Sequence, residues 1–586
     1  MKISVVIPTY NRRTLLARTL PTVFAQNCSP GDYEIIVVVD GSTDGTTAML
    51  LNLRPTCAFQ VLEQPNQGQA VARNAGLKAA RGELVLFLDD DLVCDSKLLG
   101  EHIAAHRLGE NMLVFGPLYV SPESPRTLAT LWIRSATGDW IARLSRQGEA
   151  RWPVDAIVLP NSSIRRETLL ALGGFDELLV NAHEDTELGL RLWRAGVRFH
   201  FHAPAVTYQF YVKSTRDLVR KDAPAYGRNE VRLCLKRPEF RAYSQLARHS
   251  EIHRPKRWAR EIAVRMPILL DLLLRVPCWL AERLPGIEPF RQTGLRMLWA
   301  RQGIAMLRSA VSELGGWKNF QREFAVRLPV LLYHHVGPDR PGTYPGLTVS
   351  PRRFENQVQW LKRRGYVGIR PSDWLAWCRE GKPLPKKPVL LTFDDAYADI
   401  AEYALPLLKK YGFGAGVFVV TEQIGGTNAW DEKTGSATLR CMTAEQIREW
   451  AAQGVEFGAH SRTHPDFSAL NDGDLQSEIA GSGQALSGIL GTPVISFAYP
   501  FGVYSDIAKK HAQEVFGLAF ACEEGLNGLS TDPYLLRRVM VEPNDTLADL
   551  AFYVTLGWNP IKRLRARLRL RTRLTQALQA ASSLGS

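Results

Sequence analysis

At 586 residues the chain is too long for one hydrophobic core, so two domains of roughly 200 to 250 residues plus a connector are expected. Its apolar share of 45% and charged share of 22% are ordinary for globular protein, and its net charge of +13 favours an anionic partner: nucleic acid, an anionic membrane surface or a phosphorylated substrate. Eight cysteines without a CxxC pair exclude a zinc knuckle and a disulfide framework, which points to a reducing compartment.

The N-terminus "MKISVVIPTYN" has a five-residue apolar run ended by Pro8, too short for a secretory signal. No run of about 18 apolar residues follows, so no spanning helix is expected. The protein is expected in the cytoplasm, with peripheral contact at the inner face of the cell membrane.

From residue 3 to about 210, short β-branched runs ("ISVVIP", "EIIVVVD", "ELVLFLDD") alternate with helical patterns. This predicts an α/β domain with a mostly parallel sheet, whose ligands gather at the carboxyl ends of strands. Between about 215 and 325 the chain becomes helical and rich in Arg, Leu and Trp. There Pro267, Pro277 and Pro285 are expected to cut it into short segments, as an interfacial helix or a helical connector. A second α/β pattern opens at "PVLLYHHVG" (329 to 337) and runs to about 556, as in a barrel or barrel-like parallel sheet. The tail "IKRLRARLRLRTRLTQAL" (561 to 578) is cationic and apolar, with anionic lipid or a lipid phosphate as its natural partner or a solvated tail as the alternative. Nucleic acid is disfavoured because no base-reading module accompanies the basic residues.

Two strands end in adjacent carboxylates: "GELVLFLDDDLV" (82 to 93) with Asp89, Asp90 and Asp91, and "PVLLTFDDAYAD" (388 to 399) with Asp394 and Asp395. Two separate polar sites are therefore expected.

Four pieces of the N-terminal region belong together: "SVVIPTYNR" (4 to 12), "VVDGSTDGT" (38 to 46), "NQGQAVARNAGL" (66 to 77) and "FLDDD" (87 to 91). Jointly they resemble glycosyltransferase family 2, the inverting GT-A enzymes, over roughly residues 1 to 230. The resemblance implies a nucleotide-sugar site, for a UDP-sugar, drawn from Pro8, Tyr10, Asp40, Asp44, Arg73, Asp89 and Asp90. Asp40 would hold uracil or ribose and Arg73 would meet the diphosphate. A departing nucleoside diphosphate needs a divalent cation, and the D-x-D spacing of Asp89 and Asp91 offers oxygens suited to Mg²⁺ or Mn²⁺, with Asp91 as metal ligand.

"GGFDELLVNAHEDTELGLRLWRAG" (173 to 196) resembles the family's acceptor-side segment, which assigns Asp185 as catalytic base with Glu184 as its alternative. Arg191 is expected to pair with Glu187. No QxxRW segment follows, so transfer of one sugar or a few is expected. Gln209 stands where related enzymes often carry a His metal contact. His200 and His202 are expected to be structural, with no acidic partner in their strand.

In "FGAHSRTHPDF" (457 to 467), His460 and His464 have a spacing that brings both imidazoles to one ion, and with Asp395 they make a two-His, one-carboxylate set. With "TFDD", this segment makes residues 329 to about 545 resemble the polysaccharide deacetylase family, carbohydrate esterase family 4. The resemblance implies that Asp395 binds Zn²⁺ or another divalent transition metal and that Asp394 is the general base. "SFAYPFG" (496 to 502) resembles the substrate-groove segment, Tyr499, Pro500 and Phe501. Ala498 replaces a common arginine, for which Arg537 or Arg538 is the candidate substitute. No histidine follows His511, so the resemblance moves the general acid to His334, with His335 as fallback.

The expected architecture is α/β with two domains joined by a helical connector. A GT-A doubly wound, mostly parallel sheet (1–245) precedes an Arg/Leu-rich connector (246–326), a distorted (β/α) barrel of the deacetylase type (327–556) and a basic tail (557–586). The expected function is transfer of an N-acetylated amino sugar to an oligosaccharide or lipid-linked glycan, plus metal-dependent N-deacetylation. The alternative joins the transferase to a deformylase or to an inactive domain that docks carbohydrate or membrane.

Overall fold

The computed structural model describes residues 1–565 apart from 149–158, 180–181, 249–253, 285, 339–345 and 435–436. Pro285 and most of the basic tail expected over 561–578 thus lie outside the described residues. The chain forms two compact units, Met1–Lys236 with Ile252–Phe320, and Arg237–Glu251 with Gln321–Ser586.

The first unit is built on seven strands, β1 (Ile3–Thr9), β2 (Tyr33–Asp40), β3 (Ala58–Gln64), β4 (Leu84–Phe87), β5 (Met112–Phe115), β6 (Ser162–Arg165) and β7 (Arg198–Phe201). Their order is β3-β2-β1-β4-β6-β5-β7, and only β6 runs antiparallel to its neighbours. Every residue of β1 and β2 is buried, so the strands are mostly apolar, and the buried Ser4 hydroxyl donates to the buried Glu34 carboxylate at 2.6 Å. The helices used below are α1 (Arg13–Phe24), α2 (Gln69–Ala79), α3 (Glu184–Arg194), α4 (Ala223–Lys236), α5 (Arg254–Arg265), α6 (Pro267–Arg283) and α7 (Glu288–Glu313). Helix α2 crosses β1 at Gly76, where an added Cβ would lie 2.3 Å from Val6 Cγ1. That close crossing keeps Arg73, on the same helix, beside the end of β4.

The Arg/Leu-rich stretch departs from the expected connector in two ways. Its helices α5 to α7 belong to the first unit, and Arg237–Glu251 belongs to the second. The apolar faces of α6 and α7 supply Cys278, Ala281 and Leu298 to a small core with Leu128, Tyr211 and Leu218, so packing absorbs them into the first unit. Pro277 also fails to break α6, which is continuous over 17 residues. A proline there costs one helical hydrogen bond, and tight packing offsets it: Gly294 of α7 brings its Cα so close that an added Cβ would lie 2.3 Å from Ala281 Cβ.

The second unit holds an all-parallel sheet of β8 (Val330–Tyr333), β9 (Pro388–Phe393), β10 (Ala415–Val419), β11 (Glu456–Ala459), β12 (Ser496–Ala498), β13 (Leu518–Phe520) and β14 (Val539–Met540), with the short strand Val367–Gly368 beside β9. The order is β13-β12-β11-β10-β9-β8-β14. A parallel bridge from Phe520 to Leu536 links β13 to the segment entering β14, giving a distorted barrel. The core is continuous from Leu331 and Phe393 to Phe497 and Val539. Strands β8, β9, β11 and β12 all point their carboxyl ends to one side, which gathers the tyrosine, aspartate and histidine residues that follow them.

Candidate active sites

In the first unit the chain leaves β2 at Asp40, a buried carboxylate that accepts from Gln64 Nε2 at 2.8 Å and from the backbone N–H of Gln67 and Gly68 at 2.9 and 2.8 Å. Asp44 is engaged locally instead. It accepts from the Arg13 N–H at 2.9 Å, at the start of α1, and from the Thr46 hydroxyl at 2.5 Å. Pro8 is buried inside β1, whereas Tyr10 is exposed just beyond it.

The aspartates after β4 are held by two arginines. Arg12 reaches Asp90 with Nη1 at 2.7 Å and Asp91 with Nη2 at 2.6 Å. Asp90 also accepts from the Thr9 hydroxyl at 2.7 Å. Buried Arg73 links Asp89 to Glu184, each at 3.1 Å, and so joins the strand end to the first turn of α3. Burial raises the Asp90 carboxyl to about 7 against the opposing pull of Arg12, and it raises Asp91 as well.

Asp185 stands next to Glu184 and accepts from the Thr186 N–H at 2.7 Å. Burial first, then the Glu184 charge, push its carboxyl up to about 7. A carboxyl poised there serves as a base at neutral pH. Arg191 is spent on Glu187, at 2.7 Å, as its i, i+4 spacing suggests.

Gln209 turns its Nε2 to the Asp91 carboxylate at 3.3 and 3.4 Å, taking up the place where a third metal contact was in question. His202 does have an acidic partner, Glu101 at 2.9 Å, supplied by a helix and hence invisible within its strand. Sequence reasoning also missed Arg12, although it closes the quoted "PTYNR" motif.

In the second unit β9 runs directly into Asp394 and Asp395. The latter has φ 67°, a left-handed turn that sends the two neighbouring carboxylates in different directions. Asp394 is forked by Arg538, at 2.6 and 2.9 Å. Burial pushes the Asp394 carboxyl up, but Arg538, His460 and His334 together outweigh it and hold the group below its ordinary value. Of the two adjacent arginines, Arg538 and not Arg537 is the one that holds Asp394. Arg537, in the segment entering β14, is exposed.

His460 follows β11 and donates Nδ1–H to the Ala498 carbonyl at 2.7 Å, which leaves Nε2 facing Asp395 Oδ1 at 3.6 Å. His464 presents Nε2 to the same oxygen at 3.5 Å. One ligand atom from each of Asp395, His460 and His464 lies within 4.8 Å of the others, and no other such trio occurs among the described residues. Asp395 Oδ1 is buried without a hydrogen-bond partner. An orphaned carboxylate oxygen facing two neutral imidazoles fits a divalent transition metal. The Ala498 carbonyl already fixes the His460 tautomer that such binding needs.

His334 and His335 part company at the end of β8. His335 is buried, bonded through Nδ1 to Asp399 at 3.0 Å and stacked on Tyr397. His334 sits beside Asp394 and His460, where burial lowers it to about 4 and the Asp394 charge opposes that fall.

The proposed groove residues divide too. Tyr499 is wholly buried against Phe497 and Tyr504, and Pro500 is buried, so their side chains cannot form a groove surface. Phe501 is 59% exposed with its ring 4.6 Å from that of His464. Trp430, unremarked in the sequence, lies 5.0 Å from the same imidazole.

Residues 4–169 match glycosyl transferase family 2, and residues 381–518 match the polysaccharide deacetylase family. Among curated proteins, validoxylamine A glucosyltransferase of Streptomyces hygroscopicus subsp. limoneus is 31% identical over 222 residues, 33% of this chain and 48% of its own. The chain therefore spans about half the length of that relative. The poly-β-1,6-N-acetyl-D-glucosamine N-deacetylase of Staphylococcus epidermidis is 28% identical over 217 residues, 35% of this chain and 71% of its own. A solved deacetylase, PplD of Streptococcus pyogenes in complex with acetate, is 28% identical and covers 39% of this chain and 98% of its own, with a TM-score of 0.35.

Proposed function

Because the chain carries a family 2 glycosyltransferase domain followed by a polysaccharide deacetylase domain, we propose that it performs two reactions on amino-sugar glycans. One site transfers a sugar, an N-acetylated amino sugar on a UDP donor, to an oligosaccharide or lipid-linked glycan. The other hydrolyses the N-acetyl group. The observation that carries the second reaction is the Asp395, His460 and His464 trio beside the Arg538-held Asp394. The intact trio favours an active domain over an inactive docking fold.

Zn²⁺ or a similar ion bound by the trio would supply Lewis acidity toward the amide carbonyl. Asp394, kept ionised by Arg538, takes the proton of the attacking water. The proton that Asp394 takes passes to His334, which delivers it to the departing amine nitrogen, so both side chains end as they began. Burial keeps this imidazole neutral in the free protein, and negative charge developing on the amide oxygen beside it raises its affinity for a proton. Phe501 and Trp430 flank the trio as apolar walls for a sugar ring.

At the transferase site Asp185 removes the acceptor hydroxyl proton, and Asp40 with its loop holds the donor's nucleoside. Asp91 and Asp89 offer oxygens of the type Mg²⁺ or Mn²⁺ prefers, and each is already countered by an arginine, so a cation there competes with Arg12. A nucleotide-sugar donor is supplied in the cytoplasm, and we place both reactions there.

The deciding experiment incubates purified protein with short N-acetylglucosamine oligomers, their N-formyl counterparts and lipid extracts, with and without Zn²⁺, and measures acetate and formate against an Asp394→Asn blank. Zinc-dependent acetate that disappears in the variant is expected. Formate alone would change the acyl group, and neither product from any oligomer or lipid extract would overturn the hydrolase reading.

A further inference from the structure

Helices α4, α6 and α7 of the first unit enclose a hollow of about 840 Å³, lined by none of the residues assigned above. A second hollow of about 520 Å³ adjoins it and shares Arg220, Leu272, Arg275 and Arg301. The shared rim is cationic. Five arginines line the larger hollow against Asp271 and Glu313, and four line the smaller against Glu282; Asp271 alone serves two guanidinium groups, Arg275 at 2.6 Å and Arg301 at 2.9 Å. Arg220 and Arg308 are exposed on the wall of the larger hollow, and neither has a carboxylate partner among the described residues.

The same surface is also apolar. Leu272, Val276 and Trp279 repeat at i, i+4 and i+7 along α6, line the smaller hollow, and are each more than half exposed, at 53%, 56% and 52%. Leu273 beside them is 61% exposed. An apolar strip of this kind in water marks a surface that something covers.

A soluble phosphate or a polyanion would satisfy the arginines and leave the apolar strip wet. An apolar protein face would cover the strip and leave Arg220 and Arg308 without counter-charge. An amphiphile with a phosphate head and hydrocarbon chains satisfies both at once. No described helix is long and apolar enough to cross a membrane, so the surface suits lying on a bilayer. The geometry points to a peripheral membrane seat: this face docks on an anionic phospholipid bilayer, one lipid phosphate entering the arginine-lined hollow while Leu272, Val276 and Trp279 insert among the acyl chains. Arg275 and Arg283 flank the strip with long stems whose heads reach the phosphate layer.

The test is co-sedimentation of the full chain with vesicles of phosphatidylcholine alone and of phosphatidylcholine mixed with phosphatidylglycerol. Binding to the mixed vesicles alone is expected, weakened by molar salt. Arg220→Glu with Arg308→Glu lowers the partition on the order of tenfold, and Val276→Ser with Trp279→Ser lowers it comparably. All four positions are exposed, so both variants keep the parent's melting temperature, and acetate release from soluble oligomers stays unchanged whether or not that activity is the one proposed. Failure to bind the mixed vesicles overturns the proposal. So does binding that survives both variants but vanishes when the tail arginines 563 to 573 are neutralised, or binding that inorganic phosphate fully displaces.

Discussion

Arg538 holds Asp394 with both terminal nitrogens, Nη1 to Oδ1 at 2.6 Å and Nη2 to Oδ2 at 2.9 Å, and both side chains are buried. Such a fork fixes the plane of the carboxylate as well as its charge. Arg538→Lys keeps the charge and loses the fork, and is expected to lower kcat for acyl release by about 10²-fold while leaving bound zinc at the parent level. Arg538→Ala strands a buried carboxylate and costs about 3 to 5 kcal/mol of stability. Calorimetry, metal analysis and acetate release on the two variants check this, and an unchanged kcat in Arg538→Lys would remove Arg538 from the mechanism.

The metal trio makes a separate prediction. His464→Ala is expected to bring the metal content of the chain down by about one ion and to abolish acyl release, because two protein ligands hold a borderline-soft cation poorly. Phe501→Ala, which removes a ring from beside His464 without touching a ligand, should keep the ion and raise KM. Equal loss of metal in both variants would mean that the aromatic wall, not the ligand set, governs binding.

Sequence alone makes the strand-end carboxylates and the histidine pair legible, because hard chemistry at a strand's carboxyl end interrupts an apolar run. What it leaves open is phase and partnership. Arg537 and Arg538 are adjacent, and only the folded chain shows which one turns inward, where Arg538 donates Nε–H to the Ala521 carbonyl at 3.0 Å. Tyr499 looks like a groove residue beside Phe501, yet the turn at Phe501, with φ 56°, puts one ring in the core and the other in solvent. Asp44 resembles a ligand until the start of α1 and Thr46 are seen to use its oxygens. The Leu/Arg helices carry an amphipathic pattern that serves a connector or a packed face equally well, and the contacts of Cys278 and Leu298 settle it for the first unit.

Two separate sites imply separable losses. Asp394→Asn should abolish acyl release and spare sugar transfer, and Asp91→Ala should do the reverse. Each variant is assayed for both products, UDP release reporting transfer. Loss of both activities from either single change would contradict independent sites.

Packing at Gly76 is a stability prediction that touches no chemistry directly. An added Cβ would meet Val6 Cγ1 at 2.3 Å and Val38 Cγ2 at 3.3 Å, so Gly76→Ala must push α2 off the sheet. The cost is about 1 to 3 kcal/mol, despite alanine's better helix propensity. Because Arg73 rides on the same helix, transfer should fall with the melting temperature while acyl release holds. A variant as stable and active as the parent would show the crossing to be looser than its geometry.

Asp185 carries the pH dependence of transfer. Its carboxyl lies at about 7, raised first by burial and then by Glu184, so below that value it is protonated and cannot accept the acceptor's proton. The rate of transfer at subsaturating acceptor should therefore rise about tenfold per pH unit up to about pH 7 and level off above it. Glu184→Gln removes the neighbouring negative charge and should move the midpoint down, because the ionised Asp185 then faces less repulsion. The same change loosens Arg73, so the plateau falls as well. Asp185→Asn should abolish the limb along with the activity. A profile flat from pH 5 to 8, or a midpoint that rises in Glu184→Gln, would exclude Asp185 as the base and return the role to Glu184.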